Sequence, residues 1–431
     1  MSDSIKYDFP VTDRFEAREV TDPLFQPDLF DEKALYVNLD DVRGDRYLTE
    51  MLFELGVNQN FELKAPPKTY TKILFSGHRG CGKSAELQRL HNRLDNPEGY
   101  ASILVDLEED ADFARFQPED FYLLLLLKLL ERMEVSGIST NTSSLKKLAE
   151  KLQVTKEVKK ELATTFKAAA SAEAGGGIDL LGFLKSKANF KSVFSGENKS
   201  STFIRQEIKR NINEWIRDFN ILLVDVREAF RQKGLGLDLL FIVDGSEKLR
   251  AEIYKELFVT NGYLIQDISA NIILAVPINA YYGITDSPQS FHSRVVIPMI
   301  PLEKEVAVEK LKEIITKRID QSTFLEDDAF GFLIDKSGGC IRQLLILINR
   351  ALVIGSGKKI DLHNAQLAAK DLGNRMSEGI RTEHIQLIQS EKFNTGDDLV
   401  RELLYGLVLL KYNGADSIRL NPVLDGLLNL K

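Results

Sequence analysis

The stretch Lys72 to Leu90, KILFSGHRGCGKSAELQRL, joins a short apolar run, a glycine-rich turn and an amphipathic helical segment in that order, and few folds accommodate that succession. Ile73, Leu74 and Phe75 predict a buried strand, and Leu87, Leu90 and Leu94 fall on one helical stripe. Between them Gly77, His78, Arg79, Gly80, Cys81, Gly82, Lys83 and Ser84 spell GHRGCGKS, which fits the phosphate-loop pattern G-x-x-x-x-G-K-[ST]. Glycines let the backbone turn tightly so that successive N–H groups face one concavity, and the helix that follows, from Lys83 through Ala85, adds its positive N-terminal end. Lys83 is placed to reach the β and γ phosphates of a bound nucleotide, and the Ser84 hydroxyl to hold Mg²⁺. Gly77 to Ala85 is therefore the candidate nucleotide-binding segment.

A chain of 431 residues has room for two or three domains, each with its own core. The net charge of −8 gives no global electrostatic case for nucleic acid. Local basic residues could still meet phosphates: Lys185, Lys187, Lys191 and Lys199, or Arg401 and Lys411 near the end. Cys81 and Cys340 are far apart, which argues against a disulfide framework and for a reducing cytoplasm. MSDSIKYDFPVTD lacks the basic start and apolar core of a secretion signal. The run Phe121 to Leu130, FYLLLLLKLL, is interrupted by Lys128 and too short to span a bilayer, so it reads as a core helix and no membrane association is expected.

Taken in order, residues 1–30 carry Pro10, Pro23 and Pro27 without a clear period and read as an extended arm. Leu35 to Gly56 reads as a short strand or turn followed by a helix, the two segments forming an N-terminal unit of residues 1–60. A core over 61–301 then alternates strand and helix. Its further strands are Ala101–Leu107, Leu237–Asp244, Asn271–Val276 and Val295–Ile300, and its helices include Glu119–Met133 and a long one from Thr202 to Gln232. A looser helical insertion, about 136–233, contains Gly175, Gly176 and Gly177. Trp215 falls on the apolar stripe of the long helix and reads as core. Continuous apolar strands separated by helices argue for an α/β fold, a parallel sheet covered on both faces.

Beyond Pro301 the strands stop. Glu303–Ile319, Leu325–Lys336, Arg342–Ile354 and Leu362–Leu372 predict a helical lid over 302–375. A helix over Asp397–Lys411 and a turn at Tyr412, Asn413 and Gly414 predict a winged-helix-like module over 376–431.

A phosphate loop needs a metal partner, and LDLLFIVDGSEKLR ends its apolar strand in Asp244. At the carboxyl edge of a parallel sheet such an acid can hold Mg²⁺ or its water. Hydrolysis also needs a group that orients or deprotonates the attacking water. Gly245 follows Asp244 directly, so the nearest acid is Glu247.

These residues resemble the P-loop ATPases of the AAA+ and STAND groups, with GHRGCGKS as Walker A and LLFIVDGSE as Walker B. The resemblance implies a three-layer αβα core in which an extra strand lies between the two Walker strands, followed by a helical lid, with ATP and Mg²⁺ bound between them. DGSEK resembles the DG-x-D-E form of the NACHT branch and implies Glu247 as the acidic partner. FHSRVVIPMIPL resembles the serine-arginine stretch of clamp-loader-like members and implies that Arg294 is an arginine finger for a neighbouring subunit. SGGCIRQLL resembles sensor 2 and implies that Arg342 touches the γ-phosphate. Against the pattern, NIILAV runs into Pro277 where these proteins carry a polar sensor, and Asn279 is a poor substitute.

The function that resemblance implies is an ATP-hydrolysing conformational switch acting on a partner protein or a homo-oligomer, with prokaryotic stress or antiphage defence as the setting. A DNA-remodelling or loading ATPase, as in replication-initiator relatives, is the alternative. A phosphotransferase would need an acceptor pocket near the core, and a scaffold would keep its ATP unhydrolysed.

Overall fold

The computed structural model describes residues 7–25, 27, 29–30, 35–44, 46–65, 69–139, 143–152, 199–283, 291, 293–413 and 417–428. Five parallel strands form the centre: β1 (Lys72–Gly77), β2 (Tyr100–Asp106), β3 (Asp238–Asp244), β4 (Asn271–Pro277) and β5 (Ser293–Ile297). Their order is β2-β3-β4-β1-β5, so β4 lies between the phosphate-loop strand and the strand ending in Asp244. β1 and β3 are buried along their whole length, which is why they read as unbroken apolar runs.

Alternate side chains serve opposite faces. Leu74, Val105, Phe241 and Ile272 point into one core with the helices Pro118–Val135 and Ile212–Gln232. Phe75, Leu240, Ile273 and Val295 point into the other with the helices Arg46–Glu54 and Lys83–Leu94. The fold is a three-layer αβα P-loop NTPase core. The FYLLLLLKLL run is buried within the helix Pro118–Val135, and among the described residues no helix is long and apolar enough to cross a membrane. Trp215 is core as expected, its ring between those of Tyr122 and Phe219.

The lid comprises the helices Glu305–Thr316, Gln321–Phe324, Asp327–Lys336, Ile341–Ile354 and Leu362–Ser377. The helices Thr382–Ser390 and Asp398–Tyr405 and an antiparallel hairpin, β6 (Leu409–Lys411) with β7 (Ile418–Leu420), follow as a winged-helix-like module. Met299 donates its N–H to the Lys411 carbonyl at 3.0 Å, which ties the hairpin to the chain leaving β5.

Several boundaries differ from the sequence expectation. Within the expected arm, Arg14–Val20 is a helix: Asp13 caps it by accepting from the N–H groups of Phe15 and Glu16, and Ala17 and Val20 are buried. The helix expected over Asp397–Lys411 stops at Tyr405, because Leu407 takes a positive φ and Leu409 enters β6. The helix expected from Thr202 to Gln232 is two helices, Lys199–Arg210 and Ile212–Gln232, divided at Asn211. The final core strand is earlier than expected and ends at Ile297, before Pro298, which has no N–H to donate. The triple glycine at 175–177 and Lys185, Lys187 and Lys191 lie outside the described residues, as does Gly414.

Candidate nucleotide site

β1 ends at Gly77, and the helix Lys83–Leu94 starts six residues later in sequence, so the turn between them must reverse in few residues. Gly80 (φ +75°) and Gly82 (φ +96°) supply the left-handed conformations it needs. A Cβ on Gly80 would also collide with the side chain of Arg342, so the lid lies directly on the loop. The backbone N–H of Arg342 donates to the Gly80 carbonyl at 3.2 Å.

Around this loop is a cavity of about 690 Å³. Gly80, Gly82, Lys83, Ser84 and Ala85 line it, with Asp244 and Glu247 on one side and Arg342 on the lid. Pro23, Phe25 and Phe30 of the arm and Arg318 and Leu345 of the lid also line it.

Lys83 donates to the carbonyls of Gly77 and His78, each at 3.1 Å, and stands 3.9 Å from Glu247 Oε1. Asp244 sits at the carboxyl end of β3, accepts the Gly245 N–H at 2.8 Å and shares a hydrogen bond with the Ser84 side chain. Burial, then the neighbouring charge of Glu247, pushes Asp244 up to about 6. A nearby cation would oppose both effects. Glu247 Oε2 is buried with no hydrogen-bond partner among the described residues. A hydroxyl and a carboxylate in contact, beside a second carboxylate with an unsatisfied oxygen, suit Mg²⁺ and its waters, since that ion takes one or two carboxylates plus phosphate oxygens.

The other loop residues face away from the cavity. His78 is fully buried: its Nε2 accepts the Lys411 N–H at 2.8 Å, so its Nδ1 carries the proton and donates to the Leu404 carbonyl at 3.1 Å. Burial, with Lys83 adding to it, pulls His78 down to about 3, so the ring is neutral. The Arg79 guanidinium lies over the Tyr405 ring at 5.6 Å, and the Arg79 carbonyl is met by Cys340 Sγ at 3.6 Å. Cys81 is buried beneath the loop, and its carbonyl accepts from the Arg43 guanidinium. Cys81 and Cys340 are both free thiols.

The fold thus brings Walker A, Asp244, Glu247 and Arg342 together. It does not bring Arg294 there: this residue is paired with Leu74 in mid-sheet, three residues before the end of β1, and its carbonyl accepts from the Tyr281 hydroxyl at 3.1 Å. Sequence reasoning missed further residues of the cavity wall, Asp106, Glu108, Lys248 and Arg318 among them. Asp106 ends β2 directly beside Asp244 in the register, and the run ASILVD carried the same signal that found Asp244, an acid closing an apolar strand. Lys248 pairs with Glu108 across the cavity rim. Arg318, at the end of a lid helix, had no local pattern to mark it.

No protein-family model and no curated protein matches this chain. Among solved structures, the Walker-type ATPase PABY2304 of Pyrococcus abyssi is similar at 12% identity and a TM-score of 0.45, with 95% of this chain and 99% of that one covered. The Aeropyrum pernix ORC1 protein, solved in complex with DNA, is similar at 11% identity and a TM-score of 0.36, covering 95% of this chain and 97% of that one. The P-loop NTPase fold stated above rests on this chain's own strand order and loop geometry.

Proposed function

We propose that this chain is an ATP-hydrolysing switch of the AAA+/STAND type, in which the phosphate loop reports nucleotide to the lid and to the C-terminal module. The observation that carries this reading is that the loop is clasped from outside by three separate elements. Arg43 of the N-terminal unit holds Cys81, Arg342 and Cys340 of the lid hold Gly80 and Arg79, and Leu404 and Lys411 of the winged-helix-like module hold His78. A phosphotransferase has no need for such ties, since its acceptor pocket lies beside the phosphates.

The loop amides and the helix N-terminus receive the phosphates. Lys83 leaves the Gly77 and His78 carbonyls for the phosphate oxygens. Ser84 and Asp244 would hold Mg²⁺, whose charge would offset that of the phosphates and polarise the γ-phosphorus. Glu247, through its unsatisfied Oε2, orients the attacking water and takes its proton. Arg342 meets the charge that develops on the γ-phosphate oxygens, and its loss of contact after hydrolysis releases the lid. Because Lys83 and the C-terminal module hold the same residue, His78, by its carbonyl and its ring, withdrawal of Lys83 loosens the module's seat. The freed module engages a partner protein or a second copy of the chain. Cytoplasmic work in stress or phage defence follows only from the STAND resemblance.

The DNA-remodelling alternative draws little from the described basic residues. Arg401 is engaged by Asp398 and by the carbonyls of Thr395 and Gly396, and Lys411 by Ser417. The buried face of the helix before the hairpin, Val400, Leu403 and Leu404, is covered in the lid-side core, and Arg401 lies against Gly283.

Phosphate release from ATP by the purified protein, beside Lys83→Ala, Asp244→Ala and Glu247→Gln, tests the proposal. Turnover lost in all three, with Glu247→Gln retaining bound ATP, supports it. Tight ATP binding without turnover in the parent protein would favour a scaffold.

A further inference from the structure

The cavity lining also includes residues that the phosphate chemistry does not use. Phe25, Leu29, Phe30 and Leu345 line the cavity, and so does Arg318, a residue only 8% exposed. Arg318 Nη1 reaches the Val20 carbonyl at a long 3.4 Å, and its Nε is buried with no hydrogen-bond partner among the described residues. Burial lowers Arg318 to about 10, so it stays charged at neutral pH. A buried guanidinium held by one long hydrogen bond, with its Nε unpaired, is costly unless a ligand supplies a further acceptor. The phosphates already have Lys83, Ser84, the loop amides and Arg342, so the acceptor left for Arg318 belongs to the other part of a nucleotide.

We infer that Arg318 reads the base, donating to N7 of a purine whose faces are covered by the apolar side chains of the arm and of Leu345. Adenine and guanine both present N7 as an acceptor on that edge. Cytosine and uracil lack it and, being single rings, leave the guanidinium unsatisfied. The site therefore selects ATP and GTP over CTP and UTP. This assignment rests on the nucleotide reading of the site, and its test separates the two.

The test is competition of ATP, GTP, CTP, UTP and inorganic tripolyphosphate against a ribose-labelled fluorescent ATP, on the full chain, on Arg318→Met and on Lys83→Ala. Wild-type protein is expected to bind ATP and GTP about tenfold or more tightly than CTP and UTP, the size of one hydrogen bond to a charged group. Arg318→Met, which keeps the side-chain length and removes a buried charge, is expected to bring ATP and GTP down to the CTP level and to leave tripolyphosphate unchanged. Lys83→Ala is expected to weaken all five. Equal binding of the four nucleotides by wild-type protein, a result that needs no variant, overturns the assignment alone. So does an Arg318→Met loss that includes tripolyphosphate, which would place Arg318 on the phosphates. Wild-type binding of none of the five overturns the nucleotide reading and the assignment with it.

Discussion

Lys411, in the C-terminal hairpin, donates its backbone N–H to Nε2 of His78, the second residue of the phosphate loop, at 2.8 Å. The two are 333 residues apart, and the same ring holds the Leu404 carbonyl through Nδ1. A variable position of a nucleotide-binding motif is therefore the seat of the last module of the chain. His78→Leu fills similar space and leaves a half-buried amide and a buried carbonyl unpaired, at a cost of about 3 kcal/mol. The folded-state value of about 3 lies below the ordinary 6.5, so between those limits the unfolded chain binds more protons. The ring's contribution is thus fully present above about 6.5 and lost at about 1.4 kcal/mol per pH unit below it. Urea unfolding from pH 7.5 to 5 is expected to show the gap between wild type and His78→Leu closing with acid; a constant gap would mean that the ring is not held neutral.

Gly80→Ala places a Cβ in a left-handed conformation and against Arg342. The backbone strain alone costs about 1–2 kcal/mol, and the collision prevents the lid from closing on the loop. Limited proteolysis is expected to cut between core and lid in this variant while the core stays resistant. Unchanged protection would show that the lid is not seated through Gly80.

Arg342→Ala retains the backbone N–H that binds the Gly80 carbonyl, so it removes the side chain alone. Turnover is expected to fall about 100-fold, with ADP affinity unchanged, because the guanidinium meets charge that develops on the γ-phosphate. Equal losses in ADP and ATP binding would instead make Arg342 a ground-state contact.

The β1 strand, its glycine turn and its helix were legible in the sequence because each element is specified locally, by apolar continuity, by Gly80 and Gly82, and by the stripe from Leu87 to Leu94. Asp244 was legible because it closes an unbroken apolar run. The helix Arg14–Val20 was not: seven residues give too short a period, and its apolar face is defined only by the lid against which Ala17 and Val20 pack. The premature end of the helix at Tyr405 depends on Leu407 and on the pairing of Leu409 with Leu420, which no local pattern records. Arg318 and the outward-facing His78 were invisible for the same reason, since their roles come from partners hundreds of residues away.

Hydrogen–deuterium exchange over residues 398–411, with and without Mg²⁺-ATP, tests most directly the claim that nucleotide is reported through the loop to the C-terminal module. The account predicts faster exchange at the Lys411 amide when nucleotide binds the wild-type protein, and no change in Lys83→Ala. Exchange at that amide unaffected by saturating nucleotide in the wild-type protein would contradict it.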